Sequence, residues 1–536
     1  MSPTSSTTLR DAWPAWLLLV LAAGAGLAWW WCAGRPVALP DAPSARIACV
    51  SYAPYRLPGE TPYDPRAFIP PARIEADLRV LSQRFDCVRT YSQGQGLSAV
   101  PAIAQRYGMQ VLMGIWLGRD PVANAHEMAL GIANARAHPQ ALRGVIVGNE
   151  VLLRAELSPA ALADDIRRVR AAVPAQVPVS YADVWENWLR YPRMAGVVDY
   201  LTIHILPYWE DDPVAPEHAV RHVAEVYASM QRAFPGKRVM IGETGWPSEG
   251  RPRRAAVPSV VNEARYLREF LAYAATVKMP YNVIEAFDQP WKRVQEGTVG
   301  GYWGIFDVQA RPKFPMRGPV VEVARWWLGW LASAAGALLF LVVGAVRRNW
   351  RGARGWAALA LAGSAAGAAL AWQVRQMLYA CANGWEWLVA IAACVLALFV
   401  ALRLARAAAA RFAGAVAPAP WLGWRLATLF ALALYGLLEV FDGRYRDFPL
   451  GLFALPCVGY ALLALLRREA SAPSLEQRFL AVVAPLLGAV IVAQELCQNV
   501  VAWLWLALCL GAAAPVWIDG RRARRLAAQQ HQATDQ

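Results

Sequence analysis

Two periodicities of apolar positions divide the chain. An uncharged apolar run extends from Ala12 to Gly34, and seven more lie near 326–346, 355–372, 385–402, 422–440, 448–466, 479–496 and 500–517. Runs of roughly 20 apolar residues are long enough to cross a bilayer as helices. Between 45 and 318 the pattern shortens to β-branched or apolar runs: "RIACVSY", "FDCVRTY", "MQVLMGIW", "LRGVIVGNE", "QVPVSYAD", "VDYLTIHIL", "RVMIGET" and "YNVIEAF". Helix-like stretches such as "SPAALADDIRRVRAAV" separate most of them, opening with Pro or with Ser, Thr or Asp. Strand–helix alternation repeated about eight times predicts an α/β fold, a parallel (β/α)8 TIM barrel. An N-terminal transmembrane helix is expected before it, and a C-terminal all-α, multi-span membrane domain after it. The expected domains are 1–44 (anchor and linker), 45–318 (barrel), 319–519 (about seven transmembrane helices) and 520–536 (a basic, polar tail).

Composition agrees with a membrane protein: 57% of the 536 residues are hydrophobic and 17% charged. The net charge of +14 would suit a nucleic-acid binder. Its arginines, however, cluster beside apolar runs, which is the positive-inside pattern. "RRNWRGARG", "RLARAAAAR", "RREASAPSLEQR" and "RRARR" fall in every second loop. That alternation predicts both termini in the cytoplasm and the barrel on the outer side. The first run ends in "WWWCAGRP" rather than a small-residue cleavage site, so it reads as an uncleaved anchor with Trp29, Trp30 and Trp31 as an aromatic belt. Of eight cysteines none forms a paired CxxC motif; Cys49 and Cys87, inside the barrel block, read as buried thiols rather than a disulfide.

Barrel enzymes carry their chemistry at the C-terminal ends of the strands. Those ends hold Tyr52, Arg89, Tyr91, Asn149, Glu150, Tyr181, Asp183, His204, Glu243, Glu285, Phe287 and Asp288, whereas the N-terminal ends show nothing comparable. Glu150 and Glu243 end strands four and seven, across the mouth from one another. Glycosidic bond cleavage requires such a pair, one carboxyl protonating the leaving oxygen and the other attacking the anomeric carbon or activating water.

"VGNEV" (147–151) and "GETGWPS" (242–248), with "VSYAPY", "CVRTYS" and "EAFDQPWK…GGYWGIFD", closely resemble glycoside hydrolase family 17, the β-1,3-glucanases. The resemblance covers the middle block only. It implies a retaining double displacement on β-1,3-glucan, with Glu150 as acid/base, Glu243 as nucleophile and Asn149 binding the 2-hydroxyl. Tyr52, Arg89, Tyr91, Tyr181, His204, Trp246, Glu285, Phe287, Asp288, Trp291 and Lys292 are the expected substrate-binding residues. Gln289 stands where the family's "F-N-E-x-x-K" has an acid, leaving Asp288 or Glu285 to substitute and Trp291 as an added stacking surface. Gly242 reads as a small residue that lets substrate or backbone approach closely. The whole arrangement is similar to bacterial membrane-bound members called β-(1→6)-glucan synthases. It implies glucan transfer, by elongation or β-1,6 branching, in the periplasm of a bacterial inner membrane, with a membrane glucan synthase as a possible partner; hydrolysis alone, or a glucan-binding export role, are the alternatives.

The remaining signals are weak. No phosphate loop or dinucleotide-binding glycine cluster is present, and "WEDD" (209–212) reads as a solvated loop, not a nucleotide-sugar site. His218 and His222 read as a solvated helix face, and no metal or cofactor is expected. Arg375, Glu386, Glu439 and "QELCQN" (494–499) fall near span ends, where snorkelling or a tight hairpin accounts for them.

Overall fold

The computed structural model describes residues 9–346, 352–415, 422–466 and 472–534. Parts of two loops used above to orient the helices, "RRNWRGARG" and "RREASAPSLEQR", lie outside them. The chain divides into two compact units. One is Val37–Val320; the other combines Met1–Pro36 with Val321–Gln536.

Seven parallel strands build the first unit in sequential order: β1 Val50–Ser51, β2 Cys87–Arg89, β3 Gln110–Ile115, β4 Leu142–Asn149, β5 Val179–Val184, β6 Tyr200–His204 and β7 Arg238–Glu243. Their residues are buried almost throughout, as expected for a sheet covered by helices on the outside and packed side chains within. Helices Pro71–Leu81, Pro121–Ala137, Pro159–Ala172 and Pro216–Ala233 each begin on a proline, which fixes φ where no hydrogen bond is lost. Asp120, Ser158 and Ser259 cap their helices by accepting from backbone N–H groups of the first turn.

The eighth run, "YNVIEAF", is not a strand. It touches both neighbours through isolated parallel bridges, Ile241↔Tyr281 and Val50↔Val283. Its backbone alternates partners: Asn282 N donates to Ile241 O, Val283 N to Cys49 O and Ile284 N to Thr244 O. No continuous ladder forms with either side, yet the segment joins β7 to β1. The curled sheet thereby fits a (β/α)8 barrel. Cys49 and Cys87 form a disulfide, correcting the expectation of free thiols. They precede the β1–β2 pair Val50↔Val88, so the strand register sets them side by side.

The second unit is helical: Leu9–Ala33, Trp327–Val346, Ala353–Ala380, Gly384–Phe412, Leu422–Asp442, Leu450–Leu466, Leu475–Gln494 and Val500–Thr534. By length and composition seven of its helices suffice to cross a membrane; Leu450–Leu466 is shorter. The expected polar tail continues the last helix as far as Thr534. Trp30 does not belong to an exposed belt. It is buried, its indole donates to Ala368 O at 3.2 Å, and Trp29 and Trp31 keep the exposed positions. Arg425 donates to Asp519 and Gln477, both at 2.8 Å, a buried ion pair that ties three helices.

Candidate active site

The C-terminal strand ends converge on Arg89, a side chain only 1% exposed. A charge at that depth needs acceptors, and β2 aims it at four. Its Nη1 donates to Gly242 O at 2.7 Å and to Glu243 Oε1 at 3.1 Å, and faces His204 Nε2 at 3.4 Å. Its Nη2 donates to Asn149 Oδ1 at 2.6 Å, which leaves the Asn149 amide nitrogen as that side chain's donor. Tyr91 Oη adds a second donor to Glu243 Oε1, at 2.8 Å, and also bonds Ser51.

Since arginine can only donate, His204 Nε2 is the acceptor and Nδ1 carries the proton. Nδ1 lies 2.8 Å from Glu150 Oε1. Burial works to raise the Glu150 carboxyl; the hydrogen bond and electrostatic pull of the His204 N–H, with Arg154 and Arg89 beyond, outweigh it and hold the group below its ordinary value. The close fit depends on Gly242, where a β-carbon would stand 2.4 Å from Thr202 Cγ2 and 3.0 Å from His204 Cδ2. The neighbours that Gly242 admits are thus side chains, rather than the substrate or backbone expected.

Glu150 lies two residues after Gly148 (φ 82°) and itself sits at φ 53°, left-handed backbone that a non-glycine residue rarely adopts. Its side chain remains 23% exposed, against 7% for Glu243, so a ligand can reach it. One carboxylate oxygen from each and a ring nitrogen of His204 lie within 4.8 Å of one another. These three could ligate a metal, but the Arg89 guanidinium already supplies their cation.

Several residues expected to bind substrate are instead buried behind this layer. Tyr52 donates to Asp77 and packs against Phe287. Tyr181 donates to Asp183, and Trp246 donates to Val257 O with Tyr208 and Tyr266 around it. With Tyr52, Phe287, Tyr181 and Trp246 each about 1% exposed or less, they offer no face to a sugar. Asp288 is diverted to Lys313 at 3.0 Å. Gln289, in the acid's place, is a strut that donates to Ala53 O and accepts from Trp291 Nε1. Glu285 therefore engages Lys292, with both oxygens at 2.9 Å, and burial pushes its carboxyl up to about 7 against that lysine's pull. Trp291 is half-buried, edge-on to Tyr63.

Sequence reading missed Glu296, raised by burial against the pull of Lys292 and by the charges of Glu150 and Glu243. It lies in the short helix Arg293–Gly300, kinked at Gly297, outside any motif. Asn282 was also missed: it donates to Ser51 Oγ and Gly242 O, both at 2.8 Å, fixing the backbone before Glu243. His222, expected on a solvated face, meets Glu210 at 3.1 Å.

Residues 49–304 match the family described as the BtgE/BtgC glycoside hydrolase domain. A glucan 1,3-beta-glucosidase of Arthroderma benhamiae is 27% identical over 262 residues, 45% of this chain and 83% of that one. The glucan 1,3-beta-glucosidase of Saccharomyces cerevisiae is 25% identical over 268 residues, 45% of this chain and 84% of its own. Among solved structures, a family 17 β-1,3-glucanosyltransferase from Rhizomucor miehei is 28% identical, with 52% of this chain and 98% of that one covered and a TM-score of 0.44. Residues 49–304 are thus similar to the BtgE/BtgC glycoside hydrolase domain and to fungal enzymes named for β-1,3-glucan.

Proposed function

We propose that this is a membrane-anchored retaining enzyme that cleaves β-1,3-glucan and passes the cleaved chain to another glucan. The observation that carries the reading is the approach of Glu150 and Glu243 oxygens to within 4.8 Å. Retaining enzymes hold their carboxyl groups about 5–5.5 Å apart, and inverting enzymes need about 6.5–9.5 Å to admit water. Glu243, held by Arg89 and Tyr91, attacks the anomeric carbon as the glycosidic C–O bond breaks, and a proton passes from Glu150 to the leaving oxygen. Glu150 then takes a proton from the acceptor hydroxyl, whose oxygen attacks the same carbon and releases Glu243. Two inversions retain configuration. Asn149, through the amide nitrogen that Arg89 leaves over, binds the 2-hydroxyl beside the bond broken.

Glu150 accepts a hydrogen bond from His204 in the free site, so it must gain a proton before cleavage. Substrate binding favours this by excluding water from a site already crowded with carboxylates. Water and a sugar hydroxyl compete for the intermediate. The names of the fungal relatives favour water, and a helical unit with seven helices able to span a bilayer favours remodelling of a glucan beside the membrane. The Cys49–Cys87 disulfide supports a barrel outside the cytoplasm, because such bonds persist in oxidising compartments.

The test is incubation of the full chain in detergent with β-1,3-gluco-oligosaccharides, followed by linkage analysis. Longer or branched products mean transfer; shorter ones alone mean hydrolysis, with the same two carboxylates. Wild-type protein that yields neither would overturn the enzyme reading. Protease added to intact spheroplasts should digest the barrel, and protection of the barrel would refute its outward placement.

A further inference from the structure

The N-terminal ends of the strands, where the sequence shows nothing comparable to the residues at the other end, line a half-open cavity of about 550 Å³. Four cations line it from separate segments: Arg46 before β1, Arg143 on β4, Arg238 on β7 and Lys278 after helix Val260–Val277. No carboxylate is among its lining residues. Arg46 is held by Asp86, its Nε donating at 2.7 Å. Among the described residues, however, Arg143, Arg238 and Lys278 have no acidic partner. Arg143 reaches only Ala48 O, at 3.4 Å, and the Arg238 guanidinium lies over the Tyr200 ring, 5.0 Å from its centroid.

Neutral groups accompany the cations. Tyr200 is 2% exposed and packs behind the cavity residues Leu112 and Met240. Its hydroxyl stands 2.8 Å from where a β-carbon on Gly144 would be, next to Arg143. Tyr281 Oη, on the cavity wall, accepts from Ala48 N at 3.2 Å and so keeps its own proton to donate. Lys278 occupies left-handed backbone (φ 51°) at the end of its helix, where glycine is the undemanding choice. The remaining wall is apolar, including Leu112, Met240 and Leu271.

We propose that this cavity binds a phosphate-bearing ligand, with the anion between Arg143, Arg238 and Lys278 and an organic body against the apolar wall. Guanidinium forks match phosphate oxygens in geometry and charge. The same chemistry is offered by an anionic lipid headgroup and by a soluble phosphate ester.

The experiment uses the full chain in a neutral detergent, titrated calorimetrically with inorganic phosphate. Saturable binding at one site is expected, weakening with salt. Arg143→Gln combined with Arg238→Gln should weaken it about tenfold or more. Arg232→Gln, on an exposed helix elsewhere, should leave it unchanged. Melting curves and oligosaccharide cleavage verify that each variant is folded. Native mass spectrometry from phosphatidylglycerol and phosphatidylcholine nanodiscs separates the sources. Retention of phosphatidylglycerol that the double variant loses identifies a headgroup; phosphate binding without lipid retention identifies a soluble ester. Either result supports the site. Unsaturable titration of the wild type, or equal affinity in the wild type and double variant, overturns it.

Discussion

The two ends of the barrel hold charge in opposite ways: buried at the mouth, exposed or half-exposed at the floor. At the C-terminal mouth the catalytic pair and its neighbours are partnered: Arg89 meets Glu243 and Asn149, His204 meets Glu150, and Lys292 meets Glu285. At the N-terminal floor Arg143, Arg238 and Lys278 face a cavity without an acid. The mouth is built so that groups act on one another, with positions and protonation set before any ligand arrives. The floor leaves its partner to be supplied from outside. Partnered polar groups at the mouth therefore indicate chemistry, and unpartnered ones at the floor indicate binding.

Substitutions can separate the two ends. Glu243→Gln is expected to lower kcat/KM by about 10⁴-fold or more while phosphate titration of the floor is untouched; retained turnover in that variant would remove Glu243 as nucleophile. Glu150→Gln should lower turnover about 10²–10⁴-fold. Substrates whose leaving group departs without a proton should recover most of the first step, as burst kinetics would reveal. Arg89→Met tests the partnering itself. It leaves Glu243 without its buried counter-charge, and a stability loss of about 3–5 kcal/mol should appear as a lower melting temperature. By contrast Arg143→Gln, whose guanidinium has no acidic partner, should melt as the wild type does.

His204→Leu is a smaller and more specific test. Glu150 must carry a proton to act as acid, so kcat/KM falls as pH rises through its pKa. The histidine holds that pKa down; without it burial acts unopposed by the nearest donor, and the descending limb should move to higher pH. An unmoved limb would show that another group titrates there. Least affected should be catalysis in the Arg143→Gln, Arg238→Gln double variant, within about twofold of wild type for surface changes remote from the site. A larger loss, measured on soluble oligosaccharides, would mean that the two ends are coupled.

The mouth was legible in the sequence because its residues come in short runs at strand ends, such as "VGNEV" and "GETGWPS". The strand pattern showed which residues end a strand. It could not show whether a side chain faces the cleft or the layer behind it, so Tyr52, Tyr181, Trp246 and Phe287 were assigned to substrate although packing had already enclosed them. The run "YNVIEAF" has strand-like composition but divides its hydrogen bonds between two neighbours, which no local periodicity reveals. The disulfide depends on lateral register between strands 38 residues apart. The floor was hidden for the same reason, since its four cations come from segments that adjoin only after the ring has closed.

Glu150 and Lys278, one at each end, share a left-handed backbone near φ 50°. Stability alone favours glycine at both positions, as relief of such strain amounts to roughly 1 kcal/mol. A screen for heat tolerance would thus be drawn to the two substitutions that strip the barrel of a carboxyl at one end and an ammonium at the other. The scaffold would gain robustness and lose what it was shaped to hold, so any engineering of this protein toward durability should exempt these two positions.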